Sequence, residues 1–584
     1  MPARCWPTSR RSASQVVPRL LNERIARHLH VLYPGRVDAV LVEAVQRAIG
    51  LDGTDGTDLV APRGRPVEPP GRWDERTTVL ISYADTVHES QRPPLQTLHD
   101  VLANEGMGAA SVVHVLPFYP WSSDDGFAVI DHHEVDARLG SWSDVAGLAD
   151  VSTVMADVVI NHRSAASREF DQFVRGELPG RDWFVTADPS ADLSSVVRPR
   201  THDLLRAVDT PAGRRHVWCT FGPDQPDLDF TNPDVLLDTL KVIDQLLVAG
   251  VRWLRLDAVA YVWKEIGSPC VHLAQTHEIV KLIVTLLSAR EPAAVVLTET
   301  NVPHEENVSY LGDGDEAHLI YNFSLPPLLL HAVLTGDTGP LTEWVGSTGG
   351  LPAGTTTLNF LASHDGIGLR PAEGILTESQ VAGLVERAHL AGGLHSEYAR
   401  PDGPRPYELN VSLYDLVGGA AQCLAAHAIM LSLSGVPAFY VHSLFGTPND
   451  HDGVARRGHN RAINRRKFAR DELGRLLAAD GGERAAMLTE LVRLRRIRAA
   501  HPAFHPASPQ AGLALGVGLF GVTRGVDGRG VTCVTNLRPD PAVIDLSHHH
   551  IAEPTDLVSG QRFESTGVAL EPLQSVWLSD STAS

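Results

Sequence analysis

The chain has 584 residues, 43% apolar and 21% charged, which supports a large packed core and, with 39 prolines and 50 glycines, excludes a low-complexity chain. Fifty Lys and Arg against seventy Asp and Glu leave a net charge of −20, so neither nucleic acid nor an anionic membrane surface is attracted to the molecule as a whole. Five cysteines (Cys5, Cys219, Cys270, Cys423 and Cys533) show no CxxC spacing, which argues against a zinc ribbon or disulfide scaffold and fits a reducing, cytoplasmic compartment.

Residues 1–15 are basic and serine-containing without an apolar run of signal-peptide length, and read as a disordered tail. Val17, Leu21, Ile25, Leu29 and Leu32 keep helical spacing, and Val37, Leu41, Val45 and Ile49 repeat it after Pro34-Gly35. A helical hairpin followed by the Pro- and Gly-rich linker 52–72 therefore occupies residues 16–77. From residue 78 the rhythm changes to short apolar runs separated by helical stretches. These are VLISY (79–83), VVHVLPF (112–118), TVMADVVI (153–160), VRWLRLD (251–257), AVVLTE (294–299), LIYNF (319–323), TTLNFLASHD (356–365) and PAFYV (437–441). Buried strands alternating with helices imply a parallel sheet, and eight of them close a (β/α)8 barrel.

The gap at about 163–232 is too long for a βα loop and predicts an inserted B-type subdomain; a second insertion spans about 369–418. The apolar stretch Ala420–Val441 contains Gln422, His427, Gly435 and Pro437, and reads as a buried helix, a turn and a strand, not a membrane span. The barrel region thus runs 78–504. After it, LALGVGLFGVT, a VDGRG turn and VTCVTNL predict a small antiparallel C-terminal β domain over 505–584.

Active sites of such barrels are built at the C-terminal ends of the strands. Those ends carry Asp157 with Asn161 and His162, Arg255 with Asp257, Glu299, and His364 with Asp365. A single acid there can equally be a loop cap. Several on one rim, with Arg255 on the same strand face as Asp257, suit glycosyl transfer, which needs a nucleophile, a proton donor and a stabiliser of positive charge.

DVVINH (157–162), RLDAV (255–259), TETN (298–301) and SHDG (363–366) resemble, in order and spacing, the four short motifs of the α-amylase superfamily. QPDLDFTNP (225–233) is similar to its additional motif at the end of the inserted domain. Within the superfamily, DDGFAVIDHHEVDARLG (124–140), RLDAVAYVWKEIGSPC (255–270), YNFSLPPLLLHA (321–332) and NRAINRRKF (460–468) resemble the sucrose phosphorylase group. The resemblance implies Asp257 as nucleophile, Glu299 as general acid/base and Asp365 as transition-state stabiliser. It implies glucose binding by Asp124, Phe127, His162, Gln225, Tyr261, His364 and Arg461, with Arg255 keeping Asp257 ionised. Phe127 and Tyr261 also admit a reading as core aromatics.

Releasing a glucosyl-enzyme with phosphate instead of water requires a cation on the acceptor side. By the same resemblance that cation is Arg200, in the RPR of the inserted subdomain, although a surface arginine is the alternative. Thr300-Asn301 after the acid/base residue, the loop HSEYARPDGPRPYELN (395–410) with Arg400, Arg405 and Tyr407, and the N-terminal hairpin depart from sucrose phosphorylases. With ETNVPHEENVSYLGDG (299–314), these features look more like the glucosylglycerate phosphorylase branch, and the loop arginines suit a carboxylate acceptor unless they are solvated charges.

No HExxH, EF-hand loop, Cys/His cluster or Gly-rich phosphate loop is evident; HHH (548–550) reads as an exposed polar tract. The resemblance implies a retaining glucoside phosphorylase, monomeric or homodimeric, that converts a small α-glucoside, 2-O-α-glucosylglycerate as the leading expectation, reversibly to α-glucose 1-phosphate and D-glycerate. It uses inorganic phosphate as co-substrate, with no cofactor, metal, nucleic acid or membrane partner. The alternatives are sucrose or glucosylglycerol phosphorolysis, a hydrolase or transglucosylase on the same scaffold, and a catalytically inactive barrel serving as a binding scaffold.

Overall fold

The computed structural model describes residues 13–51, 71–104, 110–200, 202–347, 349–398, 403–525, 530–547 and 554–580. Eight parallel strands close into a barrel: β1 (Val79–Ser82), β2 (Val112–Val115), β3 (Thr153–Val159), β4 (Val251–Asp257), β5 (Val295–Thr298), β6 (Leu319–Tyr321), β7 (Thr356–Asn359) and β8 (Val436–Tyr440). Each pairs with its sequence neighbour, and β8 pairs with β1 through Val79↔Ala438. The (β/α)8 expectation holds. Strands covered on both faces read as continuous apolar runs, which is why the sequence located all eight. Several runs outlast their strands: TTLNFLASHD ends as a strand at Asn359, and its last residues form the loop carrying His364 and Asp365.

The N-terminal hairpin consists of helices Ala13–Leu32 and Ala39–Ala48, the second capped by Asp38, whose carboxylate accepts the Leu41 N–H at 2.9 Å. It lies on the barrel's outer flank. His28 bonds Glu278 at 2.6 Å and Thr285 at 3.1 Å on helix Ala274–Arg290, and the Tyr33 hydroxyl donates to the Phe230 carbonyl at 3.1 Å. The expected tail of residues 1–15 lies outside the described residues except for Ala13–Gln15, which are helical. Most of the linker, the VDGRG turn apart from Gly530, and His548–His550 also lie outside them.

Between β3 and helix Pro233–Val248 the chain forms helix Arg168–Arg175 and the antiparallel hairpin Leu205–Thr210/Gly213–Trp218. Between β7 and β8 it forms helix Glu378–Leu390 and a second hairpin, Leu394–Tyr398/Arg405–Asn410. That hairpin's inner strand pairs with Ile367–Gly368, which hangs it over the barrel mouth. The C-terminal region holds a five-stranded antiparallel sheet and a two-stranded one. Beneath β8, two buried arginines join it to the barrel. Arg498 donates to the carbonyls of Glu75, Leu431, Gly435 and Phe504 at 2.6–3.2 Å, and Arg524 to those of Ser432 and His505, both at 2.9 Å. Among the described residues no helix is long and apolar enough to cross a membrane, and Cys219, Cys270, Cys423 and Cys533 are buried free thiols.

Candidate active site

Strand register assembles the centre of the barrel mouth. β3 and β4 align Asp157 with Arg255 and Val159 with Asp257, and residues two apart on β4 share a face. One Arg255 nitrogen, Nη1, therefore reaches the carboxylates of both Asp157 and Asp257, the latter at 2.6 Å. His114 on β2 holds the other Asp157 oxygen at 2.8 Å. Glu299 follows β5 directly. Its Oε2 accepts the Ala258 N–H at 3.0 Å, which Ala258 can offer because it turns out of β4 in the left-handed region at φ 52°. Such a conformation costs free energy in a residue with a Cβ and gathers at functional sites.

The far wall is a loop after β2. Asp124, Asp125 and Gly126 all adopt positive φ (53°, 47° and 118°), and a Cβ on Gly126 would stand 3.0 Å from the Pro117 carbonyl oxygen. This tight turn delivers Asp124 and Phe127 to the cavity. Phe127 lies flat on His364, centroids 4.8 Å apart and planes 4° from parallel, and Arg255 stands over its ring at 5.5 Å. Arg461 binds Asp365 at 2.5 Å and forks onto Glu408 at 2.9 and 3.0 Å. Arg465, fully buried one helical turn on, donates to the His364 carbonyl at 2.7 Å and pairs with Asp125 at 3.0 Å.

Asp124, Phe127, His162, Arg200, Gln225, Arg255, Asp257, Glu299, Asn301, His364, Asp365, Tyr407 and Arg461 thus line one small cavity. Two of the residues named from the sequence stand elsewhere. Tyr261 packs edge-on behind Phe221 (5.4 Å, 90°), so Phe221 holds the wall that Tyr261 was expected to supply. Arg405, near the tip of the second hairpin, turns to Glu378 at 3.0 Å instead of the cavity, because an exposed carboxylate is within its reach there. Arg400 lies outside the described residues.

Sequence reading missed Phe221, Glu408, Arg465, Asp125 and Lys264. Lys264 is buried with its ammonium on Asn161 and Asp227, both at 2.7 Å. Its signal was a lysine directly after the apolar run AVAYVW; that of Arg465 was its i+4 spacing from Arg461. Glu408 carried only the weaker signal of an acid within a buried strand.

Burial pushes the Asp257 and Glu299 carboxyls up, each to about 7, with Arg255 opposing and neighbouring carboxylates reinforcing the rise. The sequence expectation that Arg255 keeps Asp257 ionised holds in direction only: desolvation outweighs the cation. The two groups titrate as a pair. Arg255 donates to Asp257, whereas Glu299 receives one backbone N–H, so the shared proton belongs on Glu299. Asp365 behaves oppositely. Burial raises it, but the Arg461 and Arg465 guanidiniums hold it well below the usual carboxylate range. Burial lowers both His162 and His364, leaving neutral imidazoles. Gln225 Nε2, Asn301 Oδ1 and His364 Nδ1 are buried without a protein partner, and such groups around a cavity call for a hydroxyl-rich ligand. Among the described residues no cluster of three His, Cys, Asp or Glu could hold a metal ion.

A protonated acid beside an arginine-bound carboxylate, at the C-terminal mouth of a (β/α)8 barrel, defines a glycoside-transforming enzyme. The α-amylase catalytic domain model matches residues 105–334. The glucosylglycerate phosphorylase of Allomeiothermus silvanus is 42% identical over 96% of this chain and 99% of its own. The sucrose phosphorylase of Bifidobacterium adolescentis is 31% identical over 68% of this chain and 80% of its own. The crystal structure of sucrose 6F-phosphate phosphorylase from Thermoanaerobacter thermosaccharolyticum superposes with a TM-score of 0.71 at 24% identity, covering 85% of this chain and 98% of that one. The chain belongs to the α-amylase family, within its group of glucoside phosphorylases.

Proposed function

We propose that the protein catalyses reversible phosphorolysis of 2-O-α-glucosylglycerate to α-glucose 1-phosphate and D-glycerate, with retention at the anomeric carbon. The observation that carries the phosphate step is Arg200. It lines the cavity with Asp257 and Glu299, stands over Phe221 at 5.8 Å and Tyr407 at 5.7 Å, and among the described residues donates only to the Pro199 carbonyl, at 3.3 Å. Arg255, Arg461 and Arg465 are neutralised by carboxylates; among the described residues Arg200 has none, so its charge is available to an anion. The near relationship to glucosylglycerate phosphorylases supports the choice of acceptor.

In the first displacement the Asp257 carboxylate bonds to the anomeric carbon while the glycerate oxygen leaves with the Glu299 proton. In the second, a phosphate oxygen attacks that carbon, its proton passes to Glu299, and the Asp257–glucose bond breaks. Asp365, held ionised by Arg461, faces the positive charge that develops on the ring. Asp124, His162, Gln225 and His364 bind glucose hydroxyls, with Phe127 beneath the ring. The scheme needs phosphate and no cofactor, and buried free thiols support a cytoplasmic setting.

Incubation with α-glucose 1-phosphate and glycerate, glycerol, fructose or no acceptor, followed by phosphate release, tests the reading. Release should be fastest with glycerate and slow with water alone. Acceptor-independent release at the full rate would make the enzyme a hydrolase.

A further inference from the structure

The site described above is rich in acid. Asp124, Asp257, Glu299 and Asp365 face one cavity, and Asp157 and Glu408 stand directly behind it. A small anion approaching it needs cations that the protein has not already neutralised. Arg200 is one. The loop after β7 holds a second that the sequence did not single out.

That loop runs from Asp365 through Ile367–Gly368, paired with Glu408 and Leu409, to Arg370. It passes close over the acceptor side of the cavity. A Cβ on Gly368 would stand 2.9 Å from Asn301 Oδ1, and the Leu369 N–H donates to the Tyr407 carbonyl at 2.9 Å. Arg370 is the next residue, half-buried, with Nε out of contact with solvent and without a hydrogen-bond partner. Among the described residues no carboxylate pairs with it, and Glu306 is hydrogen-bonded to His272 at 3.2 Å. Burial raises the Tyr261 phenol against the opposing charge of Arg370 and lowers the His272 imidazole with a smaller contribution from Arg370, so the guanidinium stands near the segment that follows β4. It is not among the residues lining the small cavity, as Arg200 is.

We infer that Arg370 binds the carboxylate of the acceptor acid, while Arg200 serves whichever oxygen nucleophile stands at the anomeric carbon. This rests on the phosphorolysis reading above and deepens it. Phosphate is compact, with every oxygen on one atom, and Arg200 beside Glu299 covers it. A 2-hydroxy acid bonded through its hydroxyl carries its carboxylate one carbon further out, on the side of the β7 loop that carries Arg370 past Asn301. A neutral polyol offers nothing to Arg370 and leaves its buried Nε unpaired, which turns the same group into a means of rejection.

The test uses the full enzyme in the synthetic direction, with α-glucose 1-phosphate as donor and either D-glycerate or glycerol as acceptor. Arg370→Gln should raise KM for glycerate and lower its kcat/KM about 10- to 100-fold, the worth of one or two charge-assisted hydrogen bonds. The glycerol rate, hydrolysis and KM for phosphate should stay unchanged. Arg370→Lys should fall between Gln and the parent, because it keeps the charge and loses the fork. Arg200→Ala should instead weaken phosphate and both acceptors together. Equal losses for glycerate and glycerol in Arg370→Gln, or a matching loss for phosphate, would overturn the assignment. A parent enzyme that prefers glycerol to glycerate would overturn the acceptor reading itself, and the assignment with it.

Discussion

Two groups of buried arginines occupy opposite ends of the barrel. At the mouth, Arg255, Arg461 and Arg465 each touch carboxylates, and their protonated forms are reinforced above the ordinary arginine range despite burial. Beneath β8, Arg498 and Arg524 donate, among the described residues, only to backbone carbonyls. Burial lowers them to about 9 and about 10, with Arg524 lowering Arg498 further. The comparison separates two uses of one side chain. At the mouth the guanidinium sets the ionisation of its partners, which is chemistry. At the base it supplies N–H donors to chain ends that leave helix and strand geometry, which is architecture.

Breaking each set should therefore cost different things. The largest effect belongs to the mouth: Asp257→Ala should lower kcat at least about 10⁴-fold while leaving the urea midpoint near that of the parent, since the covalent step is lost and packing is not. An active Asp257→Ala enzyme would remove Asp257 as nucleophile. At the base, Arg498→Met leaves four carbonyls without their donor and should cost about 3–5 kcal/mol in urea unfolding, with kcat per folded molecule unchanged. A loss of kcat without loss of stability would make the two ends functionally alike.

The third variant sharpens the contrast through pH. Glu299 rises on folding from an ordinary 4.5 to about 7, so the folded chain binds more protons than the unfolded one between those values. Stability must then fall as pH rises through that window. Glu299→Gln removes the penalty and should stabilise the protein at pH 8 by about 1–3 kcal/mol, with little change at pH 4, while slowing phosphorolysis of substrates whose leaving group needs a proton. Thermal unfolding at the two pH values measures it. Equal shifts at both would place the carboxyl outside the low-dielectric site.

Much of this site was legible in the sequence. Asp157, Arg255, Asp257, Glu299, His364 and Asp365 all lie in the C-terminal part of an apolar run, and a parallel barrel places such positions on one rim. Arg405 and Tyr261 were misplaced for a shared reason: both lie in short segments outside the barrel strands, where residue type suggests a role but spacing cannot say which way the side chain turns. Glu378 captured the first and Phe221 displaced the second.

The sequence by itself determined the eight strands, their order and the acids at their ends, because burial on both faces writes an uninterrupted apolar run and the next polar residue must lie at the mouth. Only the tertiary structure decided which charges are neutralised. Arg461 finds Glu408 across 53 residues, Arg465 finds Asp125 across 340, and Arg200 and Arg370 find no acid among the described residues. Pairing across such separations depends on where separate loops meet above the barrel, and electrostatic energy falls with distance in space, which residue numbers do not record.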